Sequence, residues 1–245
     1  VRCRNEAGRI PLHEAAADAD AEPGAVRVLL EEEERYGWKC GAFVEDDALQ
    51  TPLDCLFGTI RRIMDDCGDG GEMEKLRDVG PNLWGKLGIL VPRTFFSRMP
   101  RSYHTPLLHL LVQIDCPITA IKFSLKIHPE QSTVRNADGM TPLSIAASNR
   151  RATKELIELL LHPVLGCPGV AAIADEYGCL PLHLAAESRR EFCDGMEAII
   201  MANPRALEVR DPKRRMYPFQ IAAIGSASNL NLVFALLREK PDLLS

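Results

Sequence analysis

One phrase recurs six times along the chain, and no other feature restricts the fold as much. Each copy is a proline followed at fixed offsets by apolar and small residues: Pro11-Leu12-His13-Glu14-Ala15-Ala16, Thr51-Pro52-Leu53-Asp54, Thr105-Pro106-Leu107-Leu108-His109, Thr141-Pro142-Leu143-Ser144-Ile145-Ala146-Ala147, Pro181-Leu182-His183-Leu184-Ala185-Ala186 and Pro218-Phe219-Gln220-Ile221-Ala222-Ala223. Successive prolines lie 41, 54, 36, 39 and 37 residues apart, a period that belongs to stacked repeat architectures rather than to one globular core. Thr51, Thr105 and Thr141 are placed to cap a helix whose first residue is the proline, where a missing N–H costs nothing. The leucine and the alanine pair then share a face, and the alanines let a neighbouring helix come close. Turn signals stand upstream: Asn5-Glu6-Ala7-Gly8, Asn136-Ala137-Asp138-Gly139 and Asp175-Glu176-Tyr177-Gly178.

A second phrase closes the unit. The apolar stretches ending at His128-Pro129, His162-Pro163, Asn203-Pro204 and Lys240-Pro241 read as helices stopped by a proline, which cannot continue a helix and disfavours it in the residue before. Turn, short helix, second helix and proline stop together resemble the ankyrin repeat, with its β-turn finger and Thr-Pro-Leu-His-x-Ala start. The resemblance implies an all-α ankyrin-repeat solenoid of stacked helix-turn-helix units with β-turn fingers, a single domain over 1–245. Its approximate repeats are 5–43, 44–100 with an insertion, 101–134, 135–173, 174–209 and 210–245. The spacings exceed the family's usual 33; Leu56-Phe57 and Leu110-Leu111 replace the alanine pair in the second and third copies, and the sixth finger has no glycine. HEAT and tetratricopeptide arrays share the period but lack the Asp-Gly finger and the Thr-Pro-Leu-His start.

The composition suits a chain that buries a core: 46% of residues are hydrophobic and 26% charged. No apolar run approaches the roughly 20 residues of a membrane span, and no signal peptide is recognisable. The eight cysteines are never closer than 12 residues, so no Cys-x-x-Cys pair offers a metal or redox motif, and reduced thiols in an intracellular setting, cytoplasmic or nuclear, are expected. Charge is uneven. Residues 1–79 carry 10 basic and 19 acidic groups, whereas 80–104 carry Lys86, Arg93, Arg98 and Arg101 and no acid. The net charge of −5 gives no general attraction to nucleic acid. An opening at Val1, almost inside a turn, reads as a piece of a longer protein.

Catalytic patterns fail on their own chemistry. Gly80-Pro81-Asn82-Leu83-Trp84-Gly85-Lys86 has phosphate-loop spacing, but Leu87 stands where Ser or Thr would bind magnesium, and the residues before it look helical. His13-Glu14 lacks a second histidine, and Ser228 breaks the nucleophile-elbow pattern around Gly225-Ser226-Ala227. His13 and His183, by the resemblance, serve the backbone between units, and His128 and His162 suit helix C-termini. No catalytic residue, metal site or cofactor is expected.

A partner surface is more legible. Eight and nine residues past the helix proline stand Arg150 and Arg151 in one copy and Arg189 and Arg190 in the next, which predicts a stacked cationic ladder; Arg61 and Arg62 lie at nine and ten, and Lys213, Arg214 and Arg215 add a basic sixth finger. Arginine is a favoured interface anchor. The alternative is a solvated surface near Glu187, Glu191 and Asp211. The insertion supplies a second candidate in Phe95, Phe96, Arg98 and Arg101, in surroundings made loop-like by Pro92 and Pro100, with Trp84, Leu87 and Leu90 as the buried side of an extra helix. Glu31 to Glu34 read as the wet face of a helix, with Glu31 and Arg35 paired. The expected function is a non-catalytic scaffold, monomeric, binding another protein through the concave face. A regulatory or targeting domain of a larger enzyme is the alternative, with nucleic-acid binding through basic patches a third that the acidic first part opposes.

Overall fold

Five of the six prolines are the first residue of a helix in the computed structural model, which describes residues 4–35, 41–67, 73–95, 106–114, 116–188, 195–224 and 230–240. These are α1 (Pro11–Ala17), α3 (Pro52–Cys67), α7 (Pro142–Ser148), α9 (Pro181–Glu187) and α11 (Pro218–Ala223). Second helices follow: α2 (Pro23–Arg35), α4 (Met73–Phe95), α6 (Ile118–Ile127), α8 (Lys154–Leu160), α10 (Glu197–Ala202) and α12 (Leu230–Glu239). The described residues hold no strand. The stop prolines do more than end helices: Pro129 and Pro204 open the 3-10 turns Pro129–Ser132 and Pro204–Glu208 that lead towards the next finger, while Pro241 lies outside the described residues.

The exception is α5 (Leu107–Gln113), where Pro106 is the N-cap instead of the first helical residue. The phrase there is one residue longer, with His109 three rather than two positions after its proline. The true counterparts of the alanine pair are therefore Leu111 and Val112, not Leu110 and Leu111. Thr105, expected to cap this helix, lies outside the described residues. The other two caps form: Thr141 Oγ1 accepts the Ser144 N–H at 3.2 Å, and Thr51 exchanges bonds with Asp54, its Oγ1 accepting the Asp54 N–H at 3.3 Å while Asp54 accepts the Thr51 N–H at 2.9 Å.

The chain divides into two compact units, 1–103 with 116–127 and 104–115 with 128–245. In the first, α1 packs on α2 and α3, and α4 packs on α2, α3 and α6. The long 54-residue spacing is taken up by helix, since α3 has 16 residues and α4 has 23. Thus α4 is the lengthened second helix of its unit, not an extra one, and it passes through Pro81 and Pro92 to Phe95; the surroundings of Phe95 are helical rather than loop-like. Leu83, Leu87, Leu90 and Val91 are its buried face, with Trp84 only half-buried at the edge. Each fully buried leucine contributes about 2 kcal/mol.

The phosphate-loop spacing finds its physical reason in α4. Any side chain at Gly80 would strike Ile127 and one at Gly85 would strike Pro23. Lys86, fully buried, donates to the Asp18 carbonyl, and Asn82 donates to the Asp20 carbonyl at 3.3 Å. The segment clamps the α1–α2 loop. Burial holds the Lys86 ammonium below its ordinary pKa, with Asp18 and Asp20 opposing that shift. Counted in the sequence among the charges of the basic segment 80–104, Lys86 is core.

In the second unit α5 packs on α7, α7 on α8 and α9, α9 on α10 and α11, and α11 on α12. Ala146, Ala147, Ala185 and Ala186 are buried, which permits the close approach of α7 and α9. A hydroxyl link recurs in both units: Thr59 Oγ1 donates to the Ala17 carbonyl at 2.8 Å, and Ser188 Oγ to the Ala147 carbonyl at 3.0 Å. On α2, Arg35 pairs with Glu32 at 2.8 Å, a spacing of three instead of the expected four.

Candidate functional site

Among the described residues five fingers precede first helices, four of one length and the last one residue longer. Each opens with Asn or Asp whose side-chain oxygen accepts backbone N–H groups inside the turn: Asn5 from Ala7 and Arg9, Asp46 from Ala48 and Gln50, Asn136 from Asp138 and Met140, Asp175 from Tyr177 and Cys179, and Asp211 from Lys213. The backbone N–H of the same five residues bonds to Arg9, Gln50, Met140, Cys179 and Met216 carbonyls at 2.8–3.0 Å. The left-handed position is Gly8, Gly139 or Gly178 in three fingers, but Leu49 (φ 60) in the second and Arg215 (φ 58) in the last. Fingers lie against one another. Asp47 N–H donates to the Ala7 carbonyl at 3.1 Å, and a Cβ on Gly139 or Gly178 would come within 2.6 Å of Glu176 N or 2.9 Å of Pro212.

The third residue of each first helix ties helix to finger. Ile10 and Leu180 N–H donate to Nδ1 of His13 and His183 at 3.3 and 3.0 Å, so Nε2 carries the proton and donates to the Gln50 and Val209 carbonyls at 2.9 Å in each case. This is the backbone service expected of both histidines. In the last unit Gln220 accepts the Tyr217 N–H at 3.0 Å instead. His109 repeats the outward contact, to the Val134 and Met140 carbonyls at 3.0 and 3.1 Å. Its Nδ1 has no partner among the described residues, because the residue three earlier is Pro106, which has no N–H to give. Burial lowers the pKa of both His109 and His183 against the raising effect of their carbonyl bonds. His128 directly follows α6 and pairs with Glu130 at 2.8 Å, and His162 Nδ1 accepts from the Val164 and Leu165 N–H groups at 3.2 and 3.4 Å.

Arg150 and Arg151 occupy the turn between α7 and α8, both exposed. Arg151 borders an open groove of about 470 Å³ shared with Gln113, Met140, Ile145, Ser148 and Asn149. Arg189 and Arg190, the other half of the expected ladder, lie outside the described residues, as do Phe96, Arg98 and Arg101; of Phe95 only the helical backbone is described. Arg61 and Arg62 do not fall at an equivalent place, because α3 is still helical there: Arg61 approaches Asp65 at 3.8 Å and Arg62 bonds Thr59 at 3.0 Å.

The last finger separates its cations by role. Arg214 bonds Glu187 and lies 3.6 Å from Asp211, the Glu187 bond raising the Arg214 pKa and lowering that of Glu187. It is internal structure. Lys213 sits over the Tyr177 ring at 5.7 Å, Arg210 over Tyr217 at 4.8 Å, and Arg215 is exposed. Beneath them the Cys179 thiol donates to Asp211 at 3.2 Å, and burial with that bond pushes its pKa up to about 12, so it is inert rather than nucleophilic. Sequence reasoning missed Arg210, Tyr177 and the groove residues other than Arg151. Arg210 had one available signal, its place directly before the finger-opening Asp211. Among the described residues no group of His, Cys, Asp or Glu could hold a metal ion, and no helix is long and apolar enough to cross a membrane.

Paired helices, Asx-opened fingers and histidine ties define a helical-repeat fold. Residues 108–205 match the family described as ankyrin repeats, in three copies. Among solved structures, the ankyrin repeat domain of Bcl-3, a unique member of the IkappaB protein family, is similar at 17% identity and TM-score 0.44, over 95% of this chain and 100% of that one. The Bd0816 predatory endopeptidase from Bdellovibrio bacteriovorus in complex with immunity protein Bd3460 is similar at 17% identity and TM-score 0.34, over 81% and 99%. No curated protein matches the chain. Ankyrin repeats generally mediate protein–protein interaction and are typically non-catalytic.

Proposed function

We propose that the chain is a non-catalytic scaffold that binds a partner protein on the side where fingers meet first helices, the concave side of an ankyrin stack. The observation that carries this reading is the groove bordered by Gln113, Met140, Ile145, Ser148, Asn149 and Arg151, which sets two apolar side chains among polar ones beside an arginine with no ion pair among the described residues. Such composition suits the anchor of an interface. A photo-crosslinking residue placed at Arg151 and, separately, at the exposed Val164 beyond α8 tests it. Capture of one protein species from position 151 and not from 164 is expected. Equal capture from both, or capture from 164 alone, contradicts the reading.

A further inference from the structure

The finger opened by Asp211 differs from the other four in the sign of its charge. Glu6, Asp47, Asp138 and Glu176 stand in the earlier turns, whereas Lys213, Arg214 and Arg215 stand in this one, with Arg210 at its root. The neighbouring carboxylates are already engaged. Glu187 and Asp211 hold Arg214, and Glu208 holds Lys240. Among the described residues Arg210, Lys213 and Arg215 make no ion pair within 4 Å, although the Lys213 charge is felt by Glu187. All three belong to one hairpin closed by the Asp211 N–H to Met216 carbonyl bond at 2.8 Å. Two of them are steadied by aromatic rings, Arg210 on Tyr217 and Lys213 on Tyr177, which is itself 63% exposed. Arg215 holds a left-handed backbone that glycine adopts in three other fingers, so the chain tolerates strain to display a cation there.

We propose that this finger is a docking surface for a short acidic segment of a partner protein, with Arg210, Lys213 and Arg215 each meeting a carboxylate and Tyr177 and Tyr217 offering apolar contact. Three cations confined to one hairpin match a few side-chain charges. A nucleic-acid backbone needs a longer basic track, and the net charge of −5 opposes it. The surface is distinct from the α5–α7 groove, so the two readings fail separately.

Fluorescence polarisation of a labelled octapeptide of Asp and Glu, titrated with the full chain, tests the proposal against its Asn/Gln counterpart and a single-stranded DNA octamer. The acidic peptide should bind, its affinity should fall between about 50 and 200 mM salt, and Arg210→Glu, Lys213→Glu or Arg215→Glu should each weaken it about three- to tenfold. Arg27→Glu, at an exposed position on α2, should leave it within about twofold. Arg215→Gly relaxes the backbone, so a loss of binding with an unchanged or raised melting temperature separates charge from folding. Binding that ignores these substitutions, equal binding of the Asn/Gln peptide, absence of acidic-peptide binding, or tighter binding of the oligonucleotide overturns the proposal.

Discussion

The Asn136 finger of the second unit and the Asp46 finger of the first share every framework hydrogen bond and differ at the residue that sequence patterns prize most. Asn136 and Asp46 both accept two N–H groups from inside the turn, and both close it with a backbone bond of 2.9 Å. The fourth residue is Gly139 in one and Leu49 in the other, each left-handed. Leu49 is 75% exposed, so its side chain meets nothing, while a side chain at Gly139 would strike Glu176 of the next finger. The side-chain acceptor at the first position makes the turn. Glycine is required only where the following finger leaves no room.

The largest way to break this comparison is Gly139→Val, which adds left-handed strain to a backbone collision and should cost about 3 kcal/mol in urea unfolding. His183→Phe should cost about 2 kcal/mol by the same measurement, since it strands the Leu180 N–H and the Val209 carbonyl. Asn136→Ala removes the shared acceptor and should cost about 1–2 kcal/mol. Leu49→Gly has the opposite sign and should stabilise by about 0.5–1 kcal/mol, raising the melting temperature. If Leu49→Gly destabilised, the strain argument would be wrong.

Acid titration sharpens the same contrast. The Gln50 N–H bond, opposed by burial and aided by Arg9 at 3.0 Å, holds the Asp46 carboxyl below its ordinary 3.8. A depressed folded pKa means that this contribution is complete above pH 3.8 and is lost as pH falls through the folded value. Asp46→Asn should therefore flatten the acid limb of a stability–pH curve, while the Asn136 finger has no such group to titrate. His109 and His183 act at higher pH. Their folded pKa values lie below 6.5, so the stability they protect is complete above pH 6.5 and declines as pH falls through those lower values. Substituting both should remove that slope below pH 6.5.

What the sequence made legible follows from which residues carry their signal alone. Gly8, Gly139 and Gly178 announce three fingers, and Pro11, Pro142 and Pro181 place their helices to the residue. Leu49 hides the second, because Asp46 is ambiguous without a glycine after it, whereas the spacing before Pro218 marks the sixth in spite of Arg215. Pro106 misleads by one residue, and only the orphaned Nδ1 of His109 reveals the shift. The 54-residue spacing read as an insertion became helix, because α3 and α4 bury Leu56, Ile60, Leu83, Leu87 and Leu90 along their added turns. Lys86 looked like surface charge since nothing local tells a buried lysine from a solvated one; its partner, the Asp18 carbonyl, lies 68 residues away. At the candidate site the cations were legible as residue types. Their division into a bound Arg214 and an exposed Arg215 depends on Glu187, 27 residues distant.

Native-state hydrogen exchange of the wild-type finger amides tests the central claim most directly. If the Asn or Asp acceptor makes the turn, Ala48 and Gln50 in the glycine-free finger are protected to within about tenfold of Asp138 and Met140. Exchange of Ala48 and Gln50 at the rate of an open loop, beside protected Asp138 and Met140, would contradict it and return the defining role to glycine.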